Sequence, residues 1–453
     1  MEKLYFKLKF IYYFAFCILH FAFCNGYCLT IEPFWSRIGE KVLISGEGYK
    51  RKEDITLNFE KKTFKLKASL QGTFSLSFII QSQPGGKKVI IASSKTKKET
   101  ASFWVKPKIK VYPLKGTRGT KVNISGEGYS FKERIQIGLG RNSAVAWGTA
   151  SSLGTFSATF TIANQPYGTQ SLFAVGHNYY LDDRKDFFVE PVLSVVPRKG
   201  VIGSLVTISG TGFFSSEGPP PGEPIIIDFG THRALMTDYT NYYGSFEIPL
   251  NVPSCKGGLV DVSVRGGYSG LVCSSNFDIA PRISSFPNTG EPTRPLTIKG
   301  DGFSKYETIT ITFEKRREGT RTLTQREEFL ADENGSFKLD FLVDTQPKGV
   351  KRVTIKGEFG FYEKRNLEIK PCVDVVEVDR KGGTLTLKGG GFLPYEDVTL
   401  GFGGPRCIGK VSTDKDGFFL KTFIFYGIQE KEEIIASSTK SNEVIIIQVE
   451  AEK

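Results

Sequence analysis

The chain has 453 residues, Lys and Arg 60 against Asp and Glu 48, a net charge of +12 and only 3 histidines. With 40% hydrophobic and 13% aromatic residues it can fill real cores, which excludes intrinsic disorder, and so few histidines leave histidine catalysis short of material. Gly 49 and Phe 37 favour turns and large buried rings, and the length allows about three to five domains.

Lys3, Lys7 and Lys9 form a basic start, and 10–23 is then almost wholly apolar, interrupted only by tyrosines and His20. That run is too short to span a bilayer comfortably and reads as a secretory signal peptide over 1–26. Ala22 and Cys24 are small enough to precede a cut after Cys24. A cut after Gly26 fits nearly as well, and an uncleaved anchor is the rival. No later segment is long and apolar enough to cross a bilayer. The rest of the chain is therefore expected to be secreted or cell-surface, away from nucleic acid.

After the leader the chain repeats five times: 27–106, 107–191, 192–281, 282–371 and 372–453. Each repeat carries a strand-like run that ends in Gly-x-Gly-aromatic. The copies close on Gly46-Glu47-Gly48-Tyr49, Gly126-Glu127-Gly128-Tyr129, Gly210-Thr211-Gly212-Phe213, Gly300-Asp301-Gly302-Phe303 and Gly389-Gly390-Gly391-Phe392, spaced 80, 84, 90 and 89 residues apart. A second landmark reads Gly72-Thr73-Phe74, Gly154-Thr155-Phe156, Gly244-Ser245-Phe246, Gly335-Ser336-Phe337 and Gly417-Phe418-Phe419. A third, Gln-Pro-x-Gly, follows at 83–86, 165–168 and 346–349, with Val252-Pro253 in its place in repeat three.

Inside a repeat the period is two. Phe74, Leu76, Phe78 and Ile80 alternate with Thr73, Ser75, Ser77 and Ile79, as expected of a strand with one buried face. Repeat one predicts seven strands, near 29–32, 41–45, 55–59, 63–68, 73–80, 87–92 and 101–105. Seven short strands split by Gly and Pro turns read as a β-sandwich, with no convincing amphipathic helix anywhere. Short linkers with Pro107, Pro191, Pro281 and Pro371 restrict the backbone between repeats. The expected shape is a semi-rigid rod of roughly 150–200 Å.

The pattern Ile283-x-x-x-Pro287-x-x-Gly290, then Leu296-Thr297-Ile298-x-Gly300-x-Gly302-Phe303, resembles the IPT/TIG domain, an immunoglobulin-like sandwich. Pro113-x-x-Gly116 and Pro197-x-x-Gly200 open repeats two and three in the same way. The resemblance covers nearly all of the mature chain. It implies an all-β tandem array of five immunoglobulin-like domains, of the kind found on bacterial and archaeal surface proteins. Adhesion or assembly is the implied role, with no shared catalytic residues. Repeat five departs most, because 378–382 lacks the opening proline and no Gln-Pro-x-Gly follows. Such a terminal copy fits a cap.

Other motifs have bland readings. Gly-x-Gly lacks the third glycine and following helix of a dinucleotide site, so it reads as a bend with the aromatic tucked beneath it. Asp332-Glu333-Asn334-Gly335 and Asp414-Lys415-Asp416-Gly417 lack a calcium loop's ligand set and read as hairpin turns. Gly267-Tyr268-Ser269-Gly270 is followed by Leu271, where a nucleophile elbow needs Gly. His177 and His232 fall in different repeats and read as surface or loop residues. The expected protein is not an enzyme and has no cofactor or metal.

Cys255 with Cys273, and Cys372 with Cys407, are candidate local disulfides in an exported chain, while Cys28 is left odd. Pro219-Pro220-Pro221 marks a loop insertion peculiar to repeat three. The net charge of the successive stretches 29–106, 107–191, 192–281, 282–371 and 372–453 is +8, +4, −2, +3 and −3. The basic N-terminal end can meet anionic polysaccharide, phospholipid headgroups or an acidic partner, against ordinary solvation of lysine-rich faces. Lys315, Arg316, Arg317 and Arg321 crowd an expected hairpin tip, the best single electrostatic contact. Tyr179, Tyr180, Tyr242 and Tyr243 are the aromatics to inspect for the rival reading, a carbohydrate-binding array. Partners are expected to be other surface proteins or surface polysaccharide.

Overall fold

Alternating burial builds eight strands from the first repeat: β1 (Leu29–Glu32), β2 (Trp35–Arg37), β3 (Lys41–Gly46), β4 (Asp54–Phe59), β5 (Lys62–Lys67), β6 (Phe74–Ile79), β7 (Gly86–Ser93) and β8 (Lys98–Lys106). The computed structural model describes residues 29–178, 181–215, 222–318, 321–379, 381–403, 406–424 and 431–450. The expected leader lies outside them, as does the Pro219-Pro220-Pro221 insertion. All seven expected strands are present. The eighth, β2, is three residues long and offers no alternation to read.

These strands form two sheets, β1-β3-β6 and β2-β8-β7-β4-β5. Strand β2 runs parallel to β8, with Trp35 opposite Trp104, and so closes the edge that β8 would otherwise expose. Ile44, Leu57, Ile90, Phe103 and Val105 meet between the sheets without solvent contact. Repeats two, three and four rebuild both sheets strand for strand, each pair around its own apolar cluster. The fold is all-β. Among the described residues there is no helix, and none long and apolar enough to cross a membrane.

Repeat five shows what the opening proline does. In repeats one to three the first strand stops directly before Pro33, Pro113 or Pro197, and in repeat four it stops just short of Pro287. The chain then crosses to the other sheet and adds the short parallel strand. Repeat five has no such proline, and its first strand continues over Cys372–Asp379. Its second sheet therefore has four strands, and the last, Val444–Glu450, pairs on one side only among the described residues. Val444 and Ile446 on that strand are 62% and 57% exposed.

The first two sequence landmarks prove to be one packing unit. The first glycine of Gly-x-Gly is replaced in space by the phenylalanine of the second landmark. A Cβ at Gly46, Gly126, Gly210, Gly300 or Gly389 would lie 2.2–2.4 Å from a ring carbon of Phe74, Phe156, Phe246, Phe337 or Phe419. Each of those rings packs on the aromatic after Gly-x-Gly, with centroids 5.1–5.9 Å apart. The expected bend is present too, at the second glycine, with φ between 74° and 79° in all five copies.

The test is steric. Gly210→Ala drives a methyl into Phe246 and is expected to destabilise repeat three by about 1–3 kcal/mol. Amide exchange in Leu205–Thr211 and Phe246–Asn251 should accelerate accordingly. Gly403→Ala, whose Cβ would meet nothing closer than 3.5 Å, should change exchange in its own repeat by less than about 0.5 kcal/mol.

Candidate functional site

The repeats meet at joints assembled from all three landmarks. The aromatic after Gly-x-Gly donates its amide to the glycine that opens the second landmark. These bonds run from Tyr129 to Gly154 (3.1 Å), Phe213 to Gly244 (3.0 Å), Phe303 to Gly335 (2.9 Å) and Phe392 to Gly417 (3.2 Å). Its carbonyl accepts from the repeat before. The donor is the third residue of Gln-Pro-x-Gly: Gly85 to Tyr129 (2.8 Å), Tyr167 to Phe213 (2.9 Å) and Lys348 to Phe392 (3.2 Å). Repeat three lacks the motif yet supplies the same bond, from Gly257 to Phe303 at 2.6 Å.

The approach is close enough to constrain residue type. A Cβ at Gly85 would lie 1.9 Å from the Gly128 carbonyl, and one at Gly257 would lie 2.0 Å from that of Gly302. Linker prolines fill the other side: a Cβ at Gly128, Gly212 or Gly391 would come within 3.0–3.2 Å of the Cα of Pro107, Pro191 or Pro371. Side chains add bridges particular to each joint. Arg37 pairs with the buried Asp183 at 3.1 Å, and Asp183 also accepts the Ile109 amide at 2.9 Å. Arg141 lies 3.8 Å over the Tyr242 ring and donates to Ser215 at 3.1 Å. Arg294 pairs with Asp374 at 2.8 Å, and Lys348 with Glu443.

At the same end of every repeat a glutamate staples two loops. Glu133, Glu223, Glu307 and Glu396 are buried, and Glu53 is half-buried. Glu223 accepts the amides of Phe214 and Ser269 at 3.1 and 3.0 Å, and the Ser269 hydroxyl that stood in the apparent elbow. Glu396 accepts the amides of Leu393 and Lys440 at 2.9 and 2.8 Å. Glu307 takes Ser304 and Phe359, and Glu133 takes Ser130 and Asn178. Glu53 takes Lys50 at 2.9 Å and Thr96 at 3.1 Å. The sequence does hold the signal: Glu lies four residues after the aromatic in four repeats, and the insertion delays it to Glu223 in the third.

These amides tune the carboxylates. The Lys50 amide leads in lowering Glu53 from 4.5 to about 2, against some desolvation and with help from Thr96 and Ser94. At Glu396 burial raises the pKa, but the amides of Leu393, Ser441 and Lys440 outweigh it and the net shift is downward.

The structure brings neither candidate cysteine pair together; all four thiols are free. Cys273 sits opposite Val264 at one end of its hairpin, while Cys255 precedes Gly258 at the other. The Cys255 thiol turns to the Phe229 carbonyl, beside Gly230 and Val260, four residues along the strand from Val264 and hence about 13 Å away, beyond the roughly 7 Å that a disulfide allows. Cys372 starts the first strand of repeat five and donates to the Pro292 carbonyl of repeat four at 3.3 Å. Cys407 lies in the opposite sheet, at the far end of its neighbour Asp397–Phe402. Burial, with Asp374 and Glu291 nearby, pushes the Cys372 thiol up to about 11.

Tyr242 and Tyr243 are 43% and 39% exposed but stand at 82° to one another, and Arg141 covers Tyr242. They form no coplanar platform; Tyr242 belongs to a joint. Tyr179 and Tyr180 lie outside the described residues. Lys315 pairs with Asp344. The backbone of Arg316, Arg317 and Arg321 lies in the expected hairpin, Thr308–Glu318 paired with Arg321–Leu330, which outruns its neighbour Gly349–Gly357 past Phe313. His177 is exposed, and His232 bonds the Ser254 carbonyl at 2.8 Å. Asp332 and Asp414 accept amides of their own turns, as hairpin residues do. Among the described residues no three His, Cys, Asp or Glu side chains cluster as metal ligands would.

No family model and no curated protein matches this chain. Among solved structures it is similar to Escherichia coli alpha-2-macroglobulin activated by porcine elastase, at 11% identity over 94% of this chain and 53% of that one, TM-score 0.18. It thus spans about half of that macroglobulin. It is also similar to an ICAM-5 ectodomain fragment, at 13% identity over 76% of this chain and 100% of that one, TM-score 0.19. Invasin, a bacterial integrin-binding protein, matches at 10% identity over 78% of this chain and 81% of that one, TM-score 0.19. With TM-scores of 0.18 and 0.19, the fold stands on the strand pairing and cores described above.

Two outcomes follow from the joints and their staples. Gly257→Ala should open the joint between repeats three and four, with faster proteolysis near 279–282 and unchanged amide protection in the cores. Glu53 has a depressed folded-state pKa, so its stabilisation is complete above about 4.5 and is lost as the pH falls towards 2. Exchange of the Lys50 and Thr96 amides should therefore accelerate through that window, and Glu53→Gln should flatten the dependence.

Proposed function

We propose that this protein is a secreted or cell-surface structural and adhesion protein: a signal peptide followed by five immunoglobulin-like domains, of IPT/TIG type, held as a semi-rigid rod. The domains run 27–106, 107–191, 192–281, 282–371 and 372–453. The observation that carries this reading is the joint, built four times from the same backbone bond and the same glycines. Enzymes with several sandwich domains need no such uniformity; a spacer does, because an array with stiff joints holds its ends apart. The rod works by contact with proteins or surface polymers and performs no catalysis of its own.

Protease added to intact cells should remove the mature chain, and its N-terminus should read Asn25 or Tyr27. Recovery in the cytoplasm with Met1 intact would overturn the reading.

A further inference from the structure

In repeats two to five, the end that carries the Gly-x-Gly bend is a docking end, because the preceding repeat seats its turn there. Repeat one builds the same end from different residues. After the aromatic, repeats two and four place Phe131-Lys132 and Lys305-Tyr306 in the loop and repeat five places Tyr395, whereas repeat one places three cations, Lys50, Arg51 and Lys52. The second loop of that end carries Lys95, Lys97 and Lys98 in repeat one. The matching loops elsewhere contain His177-Asn178, Tyr268-Ser269, Phe359-Gly360 and Lys440-Ser441. Repeat one alone puts cations on both.

Glu53 fixes the two loops side by side, since one carboxylate takes the Lys50 amide at 2.9 Å and the Thr96 amide at 3.1 Å. Its charge is spent on amides and the Thr96 hydroxyl rather than on lysine. Lys97 is structural: it pairs with Glu99 at 3.1 Å and lies 4.1 Å over the Tyr49 ring. Lys50, Arg51, Lys52, Lys95 and Lys98 are exposed, and none makes an ion pair among the described residues. Two short rows of cations thus flank a stapled seam, at one end of the most basic repeat.

We propose that this tip is a binding site for a linear acidic polysaccharide, whose carboxylate or sulfate groups run between the rows. Regularly spaced charge on a flexible chain can meet both rows at once, and fields from neighbouring cations add at such a seam. The proposal rests on the exported-rod reading, which brings repeat one among surface polymers. The experiment below uses purified protein and fails independently of the cell-surface test.

The mature chain is titrated with heparin as the sulfated probe, and with vesicles of phosphatidylglycerol and phosphatidylcholine, at several salt concentrations. The tip variant combines Lys50→Gln, Arg51→Gln and Lys95→Gln. The control removes the same charge at the opposite end of the repeat with Lys41→Gln, Lys61→Gln and Lys62→Gln. All six side chains are exposed, and unchanged thermal unfolding checks that both variants fold. The expected result is heparin binding weakened roughly tenfold or more in the tip variant, with shallower salt dependence, and within roughly twofold of the parent in the control. Equal losses in both variants, no heparin binding by the parent, or tighter binding to vesicles than to heparin would each overturn the proposal.

Discussion

One residue in each of repeats two to five, the aromatic after Gly-x-Gly, is shared between two sandwiches. Its N–H belongs to its own domain, bonded to the turn that carries the packing phenylalanine. From repeat two onward its carbonyl belongs to the joint. A single backbone hydrogen bond contributes only about 0.5–1.5 kcal/mol net, too little to fix a joint alone. What fixes it is that the unit cannot move without disturbing a core. The aromatic side chain is buried against its phenylalanine, the first glycine leaves no room for another arrangement, and a proline or linker carbonyl backs the second. The joint contact is thus anchored in the hydrophobic core of the following repeat, and the exposed ion pairs around it are individually weak.

This explains which parts were legible in the sequence. Glycine and aromatic landmarks stand out because each repeat needs them at fixed positions for steric reasons. Strand β6 and its counterparts alternate over six residues and announce themselves, while β2 has three residues and draws its place from pairing with β8. Gln-Pro-x-Gly was visible as a recurrence but silent about its role. Its partner is not in its own repeat: Gly85 bonds Tyr129, 44 residues on, in a different sandwich. The glutamate staple was readable too, yet a carboxylate amid other carboxylates attracts no notice until its amide partners converge on it.

Cysteine pairing failed for a related reason. Two cysteines that bracket a strand look adjacent along the chain, but a hairpin carries them to its opposite ends, as with Cys255 and Cys273. Tyr242 and Tyr243 form no platform, because exposure alone does not make one. Tyr242 keeps some solvent contact while its ring face is occupied by Arg141 from the neighbouring repeat. Within the five-fold pattern, departures carry more information than agreements. The absent proline of repeat five removes a strand, and the lysines of repeat one replace rings that other repeats present at the same end.

The joint bond runs from main chain to main chain, and Gly85, Tyr167, Gly257 and Lys348 all serve as its donor. The bond itself therefore does not select the neighbour, although at Gly85 and Gly257 the close approach requires glycine. What distinguishes neighbours is the side-chain layer laid over it: Arg37 with Asp183, Arg141 with Tyr242, Arg294 with Asp374. The unit that can be duplicated, lost or exchanged without loose ends is consequently the domain cut at its linker, since 107–191 holds the acceptor Tyr129, the whole core that steadies it and the donor Tyr167 for the next joint.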